Sequence, residues 1–272
     1  MTVTIPRDKL LSRLNSNVDT LLSTYQGRRT QLYTVEVSDP FRSSGNSGAA
    51  SPFIKTVFPE IKVAATLERA LNTALGWGWD KVVADIAKAT HGNGIHDHHV
   101  TCSIPAVTAT TIESIINSYR DKPRRLPDTT SELSTVLSTA SLGGAQESVS
   151  EKDDAFYIDS HGVEHHIEIK TPKPNYDQMR AAKRRILRIH AARSPLPVRS
   201  IVGMPYNPNG RWGAYGWPTT RIYLDSGVDL LVGEAFWNYI GASDDTSDEL
   251  IDCFYEVGRA RKQELLSLLT EV

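Results

Sequence analysis

Two cysteines in 272 residues, Cys102 and Cys253, do not make a disulfide framework, so a reducing cytoplasm, bacterial or archaeal, is the expected compartment. No apolar run approaches the length needed to span a bilayer. Residues 1–14 carry Arg7, Lys9 and Arg13 among their apolar side chains and lack the apolar core of a signal peptide. Neither sign of charge is in excess: 30 basic against 32 acidic residues give a net charge of −2. A protein coated in basic charge is thereby excluded, and any contact with nucleic acid must rest on a local basic face. Internal repeats and long linkers are missing too. What remains, 40% hydrophobic and 23% charged residues, is ordinary for a soluble chain able to bury a substantial core.

Against that plain background one stretch stands out, Asp153 to Lys170. It predicts two strands joined by a tight turn at Asp159-Ser160-His161-Gly162, where Gly162 is free to take positive φ. In the second strand Val163, His165, Ile167 and Ile169 fall on one face, and Glu164, His166, Glu168 and Lys170 on the other. Asp154, near the start of the first strand, is placed to sit beside Glu168 and Lys170 across the hairpin. Two carboxylates and an ammonium at one spot make a place for a divalent cation and a water next to a phosphate. An acidic and a basic residue two apart on a strand are more often a solvated face. The continuation raises the odds: Thr171-Pro172-Lys173-Pro174-Asn175 stops the strand abruptly, and a basic helix and an apolar strand at Ser200–Met204 follow.

The runs Asp154-Ala155-Phe156, Ile167-Glu168-Ile169-Lys170-Thr171-Pro172-Lys173-Pro174-Asn175 and Met204-Pro205-Tyr206-Asn207-Pro208 resemble the PD-(D/E)xK nucleases, and within them the TdeIII-like group of type II restriction endonucleases. Gly233-Glu234-Ala235-Phe236-Trp237 adds to the likeness, which covers about residues 150 to 240. The resemblance implies an α/β restriction-endonuclease-like core with a mixed central β-sheet flanked by helices. It implies Asp154 and Glu168 as ligands of Mg²⁺, with Mn²⁺ able to substitute, and Lys170 as the group that orients or activates water. No proline precedes the aspartate; Lys152 and Asp153 stand there, so the ligand is Asp153 or Asp154. Asp154 is preferred because it shares strand parity with Phe156 and Ile158. The resemblance further implies cleavage of double-stranded DNA by a homodimer, 5′-phosphate ends, an interrupted palindrome such as GGNCC, and a cognate DNA methyltransferase acting at the same site. A repair or recombination nuclease of the same superfamily is the neighbouring alternative. A non-catalytic nucleic-acid-binding module, stabilised by zinc near His96, is the alternative from another class.

The rest of the chain supplies the frame. Helices are predicted from Pro6 to about Tyr25 and from Pro59 to Leu75. Glu68 lies on the apolar stripe of the second; it either meets an arginine or a backbone amide, or, as in related nucleases, points at the metal. Ser43–Gly48 reads as a loop. A helix over Asp80–Ala89 precedes His91–Cys102, which reads as a polar loop because one cysteine among histidines falls short of a structural zinc site. Residues 1–145 are expected to be mainly helical, 146–245 to form the catalytic core and 246–272 a C-terminal helix, all in one compact unit. The helix to Arg193, which Asn175 can cap, carries Arg180, Lys183, Arg184, Arg185, Arg188 and Arg193 with only Asp177 opposing. Candidate DNA contacts are Lys173, Asn175, Gln178, Lys183, Arg184 and Arg188 near the hairpin. Asn207, Asn209 and Arg211 join them from the loop 205–218, although Asn-Pro and Asn-Gly are also turn chemistry. Arg221–Leu224 reads as a strand. The helices at Leu10–Leu22 and Leu250–Leu269 offer apolar surface for a dimer contact.

Overall fold

The computed structural model describes residues 5–38, 78–119 and 126–270. The predicted helix at 59–75, with Glu68, and the loop at Ser43–Gly48 lie outside the described residues. Two compact units divide the chain: Met1–Pro6 with Trp79–Leu250, and Arg7–Gly78 with Ile251–Val272.

The first unit is built on a five-stranded mixed sheet in the order β1-β2-β3-β4-β5. Its strands are β1 (Ile95–Pro105), β2 (Gln146–Ile158), β3 (Glu164–Ile169), β4 (Val198–Met204) and β5 (Leu230–Val232). β1, β2 and β3 pair antiparallel, while β3, β4 and β5 pair parallel. The helices α2 (Trp79–His91), α3 (Ala106–Ser118), α4 (Thr129–Ala140), α5 (Tyr176–Arg193), α6 (Pro218–Tyr223) and α7 (Glu234–Gly241) flank it. This is the α/β architecture expected from the hairpin. β1 corrects the reading of His91–Cys102 as a loop: Val100, Cys102 and Ile104 point inward by alternation while the polar residues between them face out. α6 corrects the strand read at Arg221–Leu224. Pro218 sits in its first turn, where a missing N–H costs nothing and the fixed φ favours a helix.

A cluster of buried apolar side chains joins α3, α4, α5 and α6 to one face of the sheet through Ile112, Ile116, Met179, Ile186, Val202 and Tyr223. α2 and α7 meet beyond β2 and β4, where Trp79 and Trp237 rings pack at 5.4 Å. Gly203 in β4 is required there, since a Cβ would lie 2.1 Å from the Phe236 ring. Beneath α5 the core holds a buried ionic cluster. Lys183 Nζ lies 2.6 Å from Thr129 Oγ1, 2.7 Å from Glu132 Oε2 and 2.9 Å from Asp229 Oδ2, and Tyr119 donates to Glu132. Burial raises the Asp229 carboxyl above the usual range despite the ammonium beside it.

In the second unit, α1 (Arg7–Ser38) buries Leu10, Leu14, Val18 and Leu21, the stripe its three- and four-residue spacing predicts. Arg261, on the last helix, α8 (Thr246–Thr270), ties to α1 at Asp19 by 2.6 Å and at Asn15 by 3.3 Å. Among the described residues no helix is long and apolar enough to cross a membrane.

Candidate active site

The hairpin places the site. Asp159 Oδ1 accepts the backbone amides of His161 and Val163 and, together with the positive φ of Gly162, closes the turn. Ala155 then pairs with Ile167 and Phe156 with His166, which brings the Asp153-Asp154 pair to the end of β3. Asp154 Oδ2 accepts the Ile169 amide at 2.6 Å, which locks the aspartate to the strand end that carries Lys170. Lys170 makes an ion pair with Glu168. Burial pulls the Lys170 ammonium below the usual lysine range, and Asp154 partly restores it. Asp154, Glu168 and Lys170 are all half-buried.

Strand parity does not run unbroken through β2. Asp153 Oδ2 accepts from His98 Nδ1 at 2.8 Å and from His166 Nδ1 at 2.7 Å, and His166 packs 5.0 Å from the Phe156 ring. Asp153 therefore shares the face of Phe156, His166 and Glu168, and the parity that favoured Asp154 is corrected. The irregularity sits where Asp154 would pair with Asp97, a residue at φ 54°. Asp153 is fully buried, and its second oxygen accepts from Arg185 at 2.6 Å. Burial raises its carboxyl, but His166, Arg185 and His98 outweigh that and hold it below the usual range. Arg185 also bonds Glu168. His166 Nε2 lies 3.5 Å from Glu164, whose carboxylate Arg193 grips with both nitrogens. His98, Asp153 and His166 are close enough to share a metal ion, as are Asp80, His96 and Asp97 near the surface. Arg185, His98 and His166 were not singled out from sequence. The signal was a cation flanking the Ala182–Ile186 stripe and a histidine, His98, that pairs with Asp153 between β1 and β2.

The predicted DNA contacts fall in different places. Lys183 is corrected: fully buried in its ionic cluster, it cannot reach a phosphate. Asn175 and Gln178 form a reciprocal capping box at 2.9 and 2.8 Å, as the cap reading expects. Arg184 grips Glu113 at 2.6 and 2.8 Å, and Arg188 lies 3.2 Å from Glu151. Asn207 and Asn209 bond the carbonyls of Gly213 and Ala214, and Arg211 bonds Glu234 and Asp248. The loop that holds them is strapped to the strand exit, with Tyr215 donating to the Pro172 carbonyl and Trp217 to that of Pro174. Lys173 is exposed, its ammonium 5.8 Å from the Trp217 ring centre.

A mixed sheet carrying an acidic pair and then Glu-x-Lys across one hairpin is the arrangement that the resemblance to the PD-(D/E)xK nucleases implies. The chain belongs to the HinfI family of type II restriction endonucleases, whose model matches residues 13–258. It is 30% identical over 274 residues to the type II restriction enzyme HgiCII of Herpetosiphon aurantiacus, covering 97% of this chain and 98% of that one. The type II restriction enzyme HgiEI of the same organism is 28% identical over 276 residues, with 98% of each chain covered.

Proposed function

We propose that the protein hydrolyses phosphodiester bonds of double-stranded DNA at a centre formed by Asp154, Glu168 and Lys170, with Mg²⁺, or Mn²⁺ in its place, as the metal. The observation that carries this reading is that Asp154, fastened to the Ile169 amide, and the Glu168–Lys170 ion pair stand together at the exit of β3. Carboxylate oxygens suit a hard divalent cation. Asp153 already spends both oxygens on His98, His166 and Arg185, which leaves Asp154 as the accessible partner for Glu168. The bound ion supplies water activation and stabilisation of phosphate charge. Lys170, placed by the strand and desolvated, holds its ammonium where negative charge develops on the phosphate and orients the attacking water. Glu68, on the helix predicted at 59–75, is a candidate further ligand through the likeness to related nucleases, which add a helix-borne glutamate. Lys173, Arg184 and Arg188 meet the backbone, and Asn175, Gln178, Asn207, Asn209 and Arg211 frame the loops around it.

One centre per chain and two antiparallel strands per duplex favour a C2 homodimer, whose twofold matches that of a palindrome. Because the α1 stripe is buried within the chain, the outer face of α8, with Tyr255 60% exposed, is the surface for that contact. Sedimentation at about twice the chain mass of 30.1 kDa is expected. The likeness to the TdeIII-like group supports a GGNCC-like site, 5′-phosphate ends, a cognate methyltransferase for the same sequence and a cytoplasmic location. Plasmid DNA incubated with the protein and Mg²⁺ tests the reading. Discrete fragments that vanish with EDTA support it, and sequencing their ends gives the site. A smear points to a repair nuclease, and intact plasmid to a binding module.

A further inference from the structure

Arg185 is a side chain that the hydrolytic reading leaves without a task, yet it is held between two carboxylates of the hairpin. One guanidinium nitrogen bonds Glu168, and another lies 2.6 Å from Asp153 Oδ1. Its side chain is only 11% exposed. Asp153 in turn is anchored by His98 and His166 at 2.8 and 2.7 Å on its other oxygen. Met179, Ala182 and Ile186 bury the face of α5 from which Arg185 extends. The guanidinium is thus fixed on both sides and cannot lose its charge by deprotonation. Glu168 faces two cations, Arg185 and Lys170.

From this geometry we propose that Arg185 is a positioning residue that acts as an internal counter-ion to Glu168. It holds the carboxylate in place at the strand end and lowers its affinity for a divalent cation. The inference rests on Glu168 being a metal ligand, the reading given above. Two consequences of elementary electrostatics follow. A fixed positive charge beside a cation site opposes the ion in proportion to both charges. Removing it also leaves the half-buried Glu168 with Lys170 alone and the buried Asp153 with only His98 and His166, which raises the energy of the protein without metal more than that of the loaded protein. Both effects act in one direction: the variant lacking the guanidinium binds metal more tightly while being less stable without it. A purely structural arginine would do the reverse, because a slackened site loses affinity.

The test is Mn²⁺ binding by isothermal titration calorimetry on the full chain without DNA, with thermal unfolding in parallel. Arg185→Gln is expected to bind Mn²⁺ at least tenfold more tightly than the wild type, equivalent to about 1.4 kcal/mol. Its unfolding temperature without Mn²⁺ is expected to fall and its gain on adding Mn²⁺ to exceed that of the wild type, as binding linkage requires. Arg185→Lys, which keeps the charge but cannot bridge two carboxylates, should lie between them. If Arg185→Gln alone does not fold, the same comparison is made on Asp153→Asn, where no buried acid is stranded; adding Arg185→Gln should again tighten Mn²⁺ tenfold. Equal or weaker binding in the folded variant overturns the counter-ion role while leaving the metal site standing. A wild type and variants that all fail to bind Mn²⁺ would overturn both.

Discussion

Replacing Lys183 by methionine should damage stability far more than DNA binding, and the structure sets the size of the effect. The ammonium is fully buried between Glu132 and Asp229, each 1% exposed, and Thr129. Breaking a buried ion pair by removing one partner costs about 3–5 kcal/mol, because the remaining charge loses its compensation. For a unit of this size that corresponds to a drop on the order of 10 °C in Tm. The deficit should depend on pH. Burial already holds the Asp229 carboxyl above the usual range, and losing the Lys183 ammonium, which opposes that, lifts it further. An acid whose folded pKa is raised binds more protons in the folded state, so stability falls as pH rises through that window. The deficit of Lys183→Met relative to wild type is therefore expected to be largest near pH 8 and to shrink toward pH 5. Adding Glu132→Gln and Asp229→Asn should recover much of it. Urea unfolding at several pH values measures this, and binding of oligonucleotide duplexes at graded salt completes it. A loss under about 1 kcal/mol, or a salt slope reduced by about one, would show that Lys183 reaches a phosphate after all.

Three further expectations follow from particular contacts. Gly203→Ala places a methyl 2.1 Å from the Phe236 ring, so overpacking of about 1–3 kcal/mol is expected, and Phe236→Leu in the same chain should relieve part of it by thermal unfolding. Burial pushes His190 down to about 4. A base with a depressed folded pKa contributes stability above its unfolded value near 6.5 and loses it as pH falls toward 4, so His190→Gln should flatten that acid limb of the Tm profile. Neutralising Arg184 and Arg188 together should reduce the slope of log affinity against log salt by up to about 1.8 if both meet phosphates; an unchanged slope would confine them to Glu113 and Glu151.

The β2–β3 hairpin was legible because its alternation, its Asp-Ser-His-Gly turn and its proline stop are local signals. So was the cap at Asn175, where one residue type at one position satisfies an orphan amide. β1 was not, because Ile95-His-Asp-His-His carries polar groups whose partners, such as Asp153 for His98, come from β2 some fifty residues later. Residues 221–224 misled through β-branched and aromatic composition, while Pro218 carried the true signal. Lys183 looked like one cation among six; only its place beside Met179 and Ile186 on the apolar stripe marked it as buried. The face of Asp153 was hidden for another reason. A single irregular residue reverses strand parity, and nothing in the sequence around Asp97 and Asp154 announces it.

The most direct test of the central claim is cleavage of plasmid DNA in Mg²⁺ by Asp153→Asn, Asp154→Asn, Glu168→Gln and Lys170→Met, each first shown to be folded and to bind duplex DNA. The account predicts that Asp154→Asn, Glu168→Gln and Lys170→Met lose cleavage by at least a thousandfold, on the order of 4 kcal/mol in the barrier. Asp153→Asn should lose stability and cut more weakly, yet remain active. Wild-type cleavage by Glu168→Gln or Lys170→Met would remove the proposed centre, and an active Asp154→Asn beside a dead, folded Asp153→Asn would move the metal to Asp153.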